Sequence, residues 1–217
     1  MTSEDILGPI AIEPMREEDI PQILEIEREA FSLAWSEGAY RRELRWNRLA
    51  RYLVLRDKSE VAPESLEPMV EREGSLGSRI LSFLKRSPTQ ASTNSLVIGY
   101  SGQWLMVDES HLITIAVREK LRRHGLGEAL LIASIDKAIE LGARIMTLEV
   151  RASNLSAQTM YEKFGFRKVG LRPHYYTDNN EDAIIMASDV LTSAAFQGRI
   201  QQSKAEIRGK VDIQWLP

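Results

Sequence analysis

The chain has 217 residues, 43% of them hydrophobic and 27% charged, with a formal net charge of −3 and no cysteine. Such a composition can build a core. It excludes a disulfide framework, a thiolate metal site and a cysteine nucleophile, and its slight acidity argues against nucleic acid as the main partner.

The acidic start, MTSEDILGPIAIEPM, shows no cationic segment leading into an apolar one. No run approaches the ~18 apolar residues of a membrane span, so a cytoplasmic protein with no membrane partner is expected. Residues 10 to 15 read as a short strand. REEDIPQILEIEREAF reads as a helix, with Ile20, Ile23, Leu24, Ile26 and Phe31 at roughly helical spacing and acids at its start. SEGAYRRELRWN predicts a second helix capped by Ser36, and RYLVLRD a strand.

From 57 to 95 the chain turns rich in Ser, Pro and Glu and loses any period, which predicts a largely disordered insertion. Within it, RILSFLKR at 79 to 86 has the pattern of a transient amphipathic helix. SLVIGYSGQWLMV and ESHLITIAV read as adjacent strands turning near Asp108. The strongest helix signal covers 124 to 141: Leu131, Ile135, Ala138 and Leu141 form one stripe, and Gly142 stands where a left-handed cap belongs. ARIMTLEV predicts a buried strand, NLSAQTMYEKFGF a helix capped by Asn154, and RKVGLR and DAIIMASDV two more strands. The tail is expected to be helical to about Ile207 and loose beyond it. The organisation is then one domain over 10–190 interrupted at 57–95, with extensions at 1–9 and 191–217.

The chemistry concentrates in LRRHGLGEAL, residues 121 to 130. Strand, RRHGLG, long helix and strand make a βαβ unit with glycines in its first turn. A helix N-terminus offers unpaired N–H groups to an anion, Gly125 and Gly127 would let a pyrophosphate approach the backbone, and Arg122 and Arg123 add charge, with His124 alongside. A P-loop would need Lys-Ser/Thr where Glu128 and Ala129 stand, and a dinucleotide fingerprint needs a small residue at Leu130. R-x-x-G-x-G remains, and a purely structural turn accounts for it equally well. In MTLEVRAS, Glu149 lies on a strand expected to be central, where a carboxylate is paired or functional. Two readings stand: an ion pair with Arg151, two residues along on the same face, or a general base. His111, His124 and His174 have no metal-site spacing, so no metal is expected.

TIAVREKLRRHGLGEALL, LEVRASNLSAQTMYEKFGF, AFSLAWSEGAYRREL and RPHYYTDNNEDAIIM together resemble the GNAT family of acetyl-CoA-dependent N-acetyltransferases. Within it, the chain is similar to the bacterial ribosomal-protein-alanine N-acetyltransferases, the RimI group, over about 10 to 57 and 96 to 190. It departs from them at Ala34, where proline is usual before Trp-Ser, in the insertion, and in the tail.

The resemblance implies a single α/β (α+β) domain: a mixed, mostly antiparallel sheet of six or seven strands with helices on both faces. Acetyl-CoA would enter where strand 112–117 splays from strand 144–150, its pantetheine along Ile115, Ala116 and Val117 and its pyrophosphate on Arg122, Arg123, His124, Gly125, Leu126 and Gly127. A bulge near that strand would open the slot, and a backbone N–H near Val117 would meet the oxyanion. Glu149 becomes the general base, acting through water on an α-amine of reference pKa about 7.7–8.0. Tyr161 becomes the acid for the leaving thiolate; beside Met160 and Phe164 it also reads as a packed core aromatic. Asn154 would cap its helix and reach the cofactor. Trp35, Tyr175 and Tyr176 would wall the acceptor, with Glu181 and Asp182 drawing in its ammonium, unless the last loop is merely a polar hairpin.

The implied reaction is direct acetyl transfer in a ternary complex to the N-terminal amine of a protein, with an alanine-starting small-subunit ribosomal protein as the implied partner. The rivals are transfer to another N-terminus, a lysine or a small amine, and a non-catalytic acetyl-CoA-binding module.

Overall fold

The computed structural model describes residues 9–59 and 95–215. The expected insertion, apart from its ends, and the RILSFLKR helix lie outside these residues. In chain order the elements are β1 (Ile10–Pro14), α1 (Ile20–Ala30), α2 (Glu37–Trp46), β2 (Ala50–Asp57), β3 (Val97–Met106) and β4 (Glu109–Val117). There follow α3 (Leu126–Glu140), β5 (Ile145–Arg151), α4 (Leu155–Lys163), β6 (Phe166–Tyr176), β7 (Glu181–Ser188), α5 (Ala194–Arg208) and β8 (Ile213–Gln214).

The predicted caps form. Ser36 Oγ accepts from Ala39 N at 3.2 Å and Asn154 Oδ1 from Ala157 N at 3.1 Å, while Gly142 takes φ +88° after α3.

The strands make one sheet in the order β6-β7-β5-β4-β3-β2-β1-β8. Neighbours are antiparallel except β4–β5 and β1–β8. The sheet has eight strands rather than six or seven. The additional one, β8, is two residues long, too short to carry a period; it is fixed by backbone bonds such as Ile10 N to Asp212 O at 2.9 Å. The tail is therefore not loose after its helix. In α5, Phe196, Ile200, Ser203 and Ile207 form the buried stripe, and Lys204 pairs with Asp136 of α3 at 2.6 Å.

Alternation along the strands divides the core in two. Tyr52, Val54, Val97 and Tyr100 meet Ile20, Ile23 and Ile26 of α1 and Tyr40 of α2 on one face. Leu53, Leu55, Ile98, Leu112, Met146 and Leu148 meet α3, α4 and α5 on the other. Helices therefore cover both faces, as expected.

One irregularity shapes the rest. Gly102 pairs with Thr114 and Gln103 with Leu112, leaving Ile113 as an extra residue in β4. The bulge lies two residues before the stretch where the resemblance put it. The β4–β5 ladder ends at Leu112–Leu148. Beyond it Ile115, Ala116 and Val117 stay on β3, and Glu149, Val150 and Arg151 stay on β7. The strands part, and each turns one backbone edge to the gap.

Candidate active site

At the far end of the gap, Gly125 precedes α3 with φ +82°, and no side chain caps the helix. The amides of its first turn are left for another acceptor. A Cβ on Gly125 would meet only Ile207 Cγ1 at 3.8 Å, so glycine is required there by its backbone angle.

The charged side chains of the turn are braces. Arg122 Nε donates to Val117 O at 3.2 Å and its Nη2 to Glu29 O at 3.4 Å. Arg123, also at positive φ, donates to Ser156 Oγ at 3.2 Å. His124 Nδ1 lies 3.3 Å from Leu121 O, and the Leu126 side chain is buried in the core. What this turn presents to an anion is mainly its backbone.

Glu149 stands on β5 where the strands part, its side chain only 7% exposed. Its partners are not Arg151. Oε2 lies 2.9 Å from His111 Nε2, and Oε1 takes Arg172 Nη2 at 3.1 Å. On its other side the His111 ring contacts Thr147 Oγ1 at 2.9 Å, and the Thr147 hydroxyl donates to Glu109. With Trp104, Met106 and Ile185 these residues line a cavity of about 300 Å³. Arg151 instead pairs with Asp178 at 2.8 Å and Glu181 at 3.1 Å, and its guanidinium covers the Tyr176 ring at 3.9 Å. An i, i+2 spacing allowed the Glu149–Arg151 pair, but the β6–β7 turn supplies Arg151 with two nearer carboxylates.

Tyr161, on α4, is buried and packs against Phe166 at 5.7 Å between centroids. Its hydroxyl has no hydrogen-bond partner among the described residues. Burial, reinforced by Tyr176, pushes its pKa up, so it holds its proton at neutral pH. Burial also pushes Tyr176 up to about 12, opposed by Arg151 and reinforced by Tyr175 and Glu149. Tyr176 is thus close enough to be felt by both Glu149 and Tyr161.

The other acceptor residues spread out. Tyr175 sits edge-on to Tyr176 at 5.1 Å and 5.6 Å from the Arg172 guanidinium. Trp35 lines a second cavity, not the one that contains Glu149; Trp104 lines both. Glu181 and Asp182 both hold the local backbone. Glu181 accepts from Ser153 N at 2.7 Å, from Asn179 and from Arg151; Asp182 accepts from His174 N at 2.8 Å.

Sequence reading weighed His111 only as a metal ligand and passed over Thr147, Arg172 and Trp104. The available signal was register: His111 pairs with Thr147 across β4–β5, which brings it to the same face as Glu149. Among the described residues no group of three or more His, Asp or Glu could hold a metal, and no helix is long and apolar enough to cross a membrane.

A sheet opened by a bulge, a glycine turn at the far end of the gap and a buried carboxylate on its rim define an acyltransferase of the GNAT type. Residues 73–166 match the model of the acetyltransferase (GNAT) family, and the chain belongs to that family. It is 34% identical over 176 residues to a Bacillus subtilis (strain 168) protein named provisionally as a ribosomal protein bS18-alanine N-acetyltransferase, covering 81% of this chain and 93% of the relative. The crystal structure of the Escherichia coli ribosomal-protein-S18-alanine N-acetyltransferase superposes with a TM-score of 0.61 at 28% identity, covering 85% and 96% of the two chains. A NatC complex structure bound to Gag peptide and CoA shares the fold, with a TM-score of 0.60 at 19% identity over 84% and 99%.

Proposed function

We propose that the protein transfers the acetyl group of acetyl-CoA to the N-terminal α-amine of a protein, with an alanine-starting ribosomal protein of the small subunit as acceptor. The names of its relatives support this acceptor, and an acceptor of that kind supports a cytoplasmic reaction. The observation that carries the chemistry is the gap between β4 and β5, with Glu149 on its rim and the α3 amides at its end.

The residues present fit the cofactor. Strand-like amide partners are wanted along a pantetheine, and Ile115, Ala116 and Val117 turn one backbone edge to the gap. Phosphates want backbone N–H groups, and the uncapped turn from Arg122 through Gly127 supplies them, with Arg122 and Arg123 adding charge behind it. His124 and Leu126 contribute backbone, and Asn154, which caps α4, would stand near the cofactor arm.

Acetyl-CoA supplies an activated thioester. Glu149 takes the proton of the attacking amine through water, oriented by His111 and Arg172. Tyr161 keeps its proton until the departing thiolate needs it. Trp35, Tyr175 and Tyr176 border the acceptor's path, and ordering of amine and thioester in one complex supplies much of the rate.

The test is incubation with acetyl-CoA and two peptides, one with a free N-terminal alanine, the other N-terminally blocked with an internal lysine, read by mass. Acetylation of the alanine terminus alone is expected. Modification of the lysine overturns the acceptor assignment, and no transfer to either overturns the reading.

A further inference from the structure

The C-terminal segment has no part in the chemistry above, yet its helix ends against the turn that meets the phosphates. Residues 73–166 carry the family match, and α5 and β8 lie beyond them. In the last turn of α5, Ile207 is buried, and its Cγ1 lies 3.8 Å from where a Cβ on Gly125 would stand. One residue earlier, Glu206 receives the Lys163 ammonium of α4 at 3.4 Å. The same ammonium reaches Glu128, in the first turn of α3, at 2.7 Å. Three helices therefore meet at one turn.

That turn has few other constraints. Gly125 precedes α3 without a side-chain cap, and a glycine leaves a φ of +82° at little cost. Arg122 and Arg123 brace the residues before it. At Gly125 itself, among the described residues, Ile207 supplies the one side-chain atom within 4 Å of that Cβ position.

Ile207 is held in its turn. Lys210 N and Val211 N donate to its carbonyl at 2.8 and 2.9 Å, and β8 then adds to β1. Lys204 pairs with Asp136 of α3 at 2.6 Å and lies 5.4 Å from the centre of the Trp215 ring. Ion pairs at half-exposed positions such as Lys163–Glu206 add little stability. What they supply is direction, keeping an apolar side chain on the glycine.

We propose that the C-terminal segment is a working part of the acetyl-CoA site, and that Ile207 is the positioning residue that holds the Gly125 turn in the form that receives the phosphates. The inference rests on the proposed acetyl transfer through its cofactor alone and makes no use of the acceptor. Backbone amides bind an anion best when they already converge, because a preordered turn loses less freedom on binding. The coupling is reciprocal: if docking of α5 favours the cofactor, the cofactor favours docking of α5 by the same factor. A segment that only adds stability to the fold shows neither effect.

The experiment uses the full chain as wild type, Ile207→Ala and Ile207→Val. It combines calorimetry with CoA, kinetics with acetyl-CoA, and amide hydrogen exchange of the wild type with and without CoA. Ile207→Ala should weaken CoA binding and raise the KM for acetyl-CoA by about tenfold, with kcat and the acceptor KM within about twofold of the wild type. Ile207→Val keeps most of the contact and should restore most of the affinity. In the wild type, CoA should slow exchange across α5 by about fivefold or more. An unchanged CoA affinity in Ile207→Ala, a loss confined to kcat, or α5 exchange indifferent to CoA overturns the positioning role. Should Ile207→Ala fail to fold, Ile207→Val and the wild-type exchange decide. A wild type that binds no CoA is the failure of the acetyl-transfer reading itself, whereas firm CoA binding without protection of α5 removes this inference alone.

Discussion

His111 Nε2 and Glu149 Oε2 come from different strands and meet at 2.9 Å, beside the last rung before β4 and β5 part. The contact holds the buried carboxylate at the edge of the gap, and Arg172 holds its other oxygen from β6. Glu149→Gln keeps the shape of the side chain and removes its charge. It should lower kcat/KM by about 10²–10⁴-fold if Glu149 is the base, while calorimetry finds acetyl-CoA binding little changed. A loss below about tenfold would reassign Glu149 to the ion pairs alone.

Tyr161→Phe separates a proton donor from a core filler. The hydroxyl has no hydrogen-bond partner among the described residues, so its removal should leave the denaturation midpoint almost unmoved. The rate should fall by about 10²-fold or more. A stable variant with an unchanged rate would leave Tyr161 as packing against Phe166.

Gly125→Ala tests the phosphate turn. The added methyl has room, since Ile207 is 3.8 Å away, but φ of +82° is costly for an L-residue. A stability loss of about 1–2 kcal/mol is expected in urea unfolding, with weaker acetyl-CoA binding as the first turn of α3 shifts. Full stability would mean that the turn relaxes to an ordinary angle.

Glu181 predicts a pH dependence. Its pKa is lowered from 4.5 to about 2 by hydrogen bonds from Ser153, side chain and backbone, then from Asn179 and Arg151. A depressed carboxylate contributes stability that is present above 4.5 and lost as pH falls towards about 2. The difference in unfolding midpoint between the wild type and Glu181→Gln should be full at neutral pH and shrink through that window. A difference constant from neutral pH to pH 2 would show that these bonds do not depend on the charge.

The sequence by itself determined the elements and the backbone chemistry of the site. Apolar periods, the Ser36 and Asn154 caps and the Gly142 stop are local, and they placed α2, α3 and α4 because caps and stripes act within a few residues. The glycine turn was legible for the same reason: Gly125 needs its left-handed angle whatever lies around it. Glu149 stood out because a carboxylate on a central strand must be answered by something.

Only the tertiary structure decided what answers it. His111 and Arg172 reach Glu149 from β4 and β6, and Arg151 goes to Asp178 and Glu181 instead. Which strands are neighbours, and in what register, is fixed by long-range pairing that no spacing along one strand encodes. The same holds for β8, whose two residues acquire strand form only by adding to β1, and for Trp104, whose position as a wall depends on a glutamate from α2.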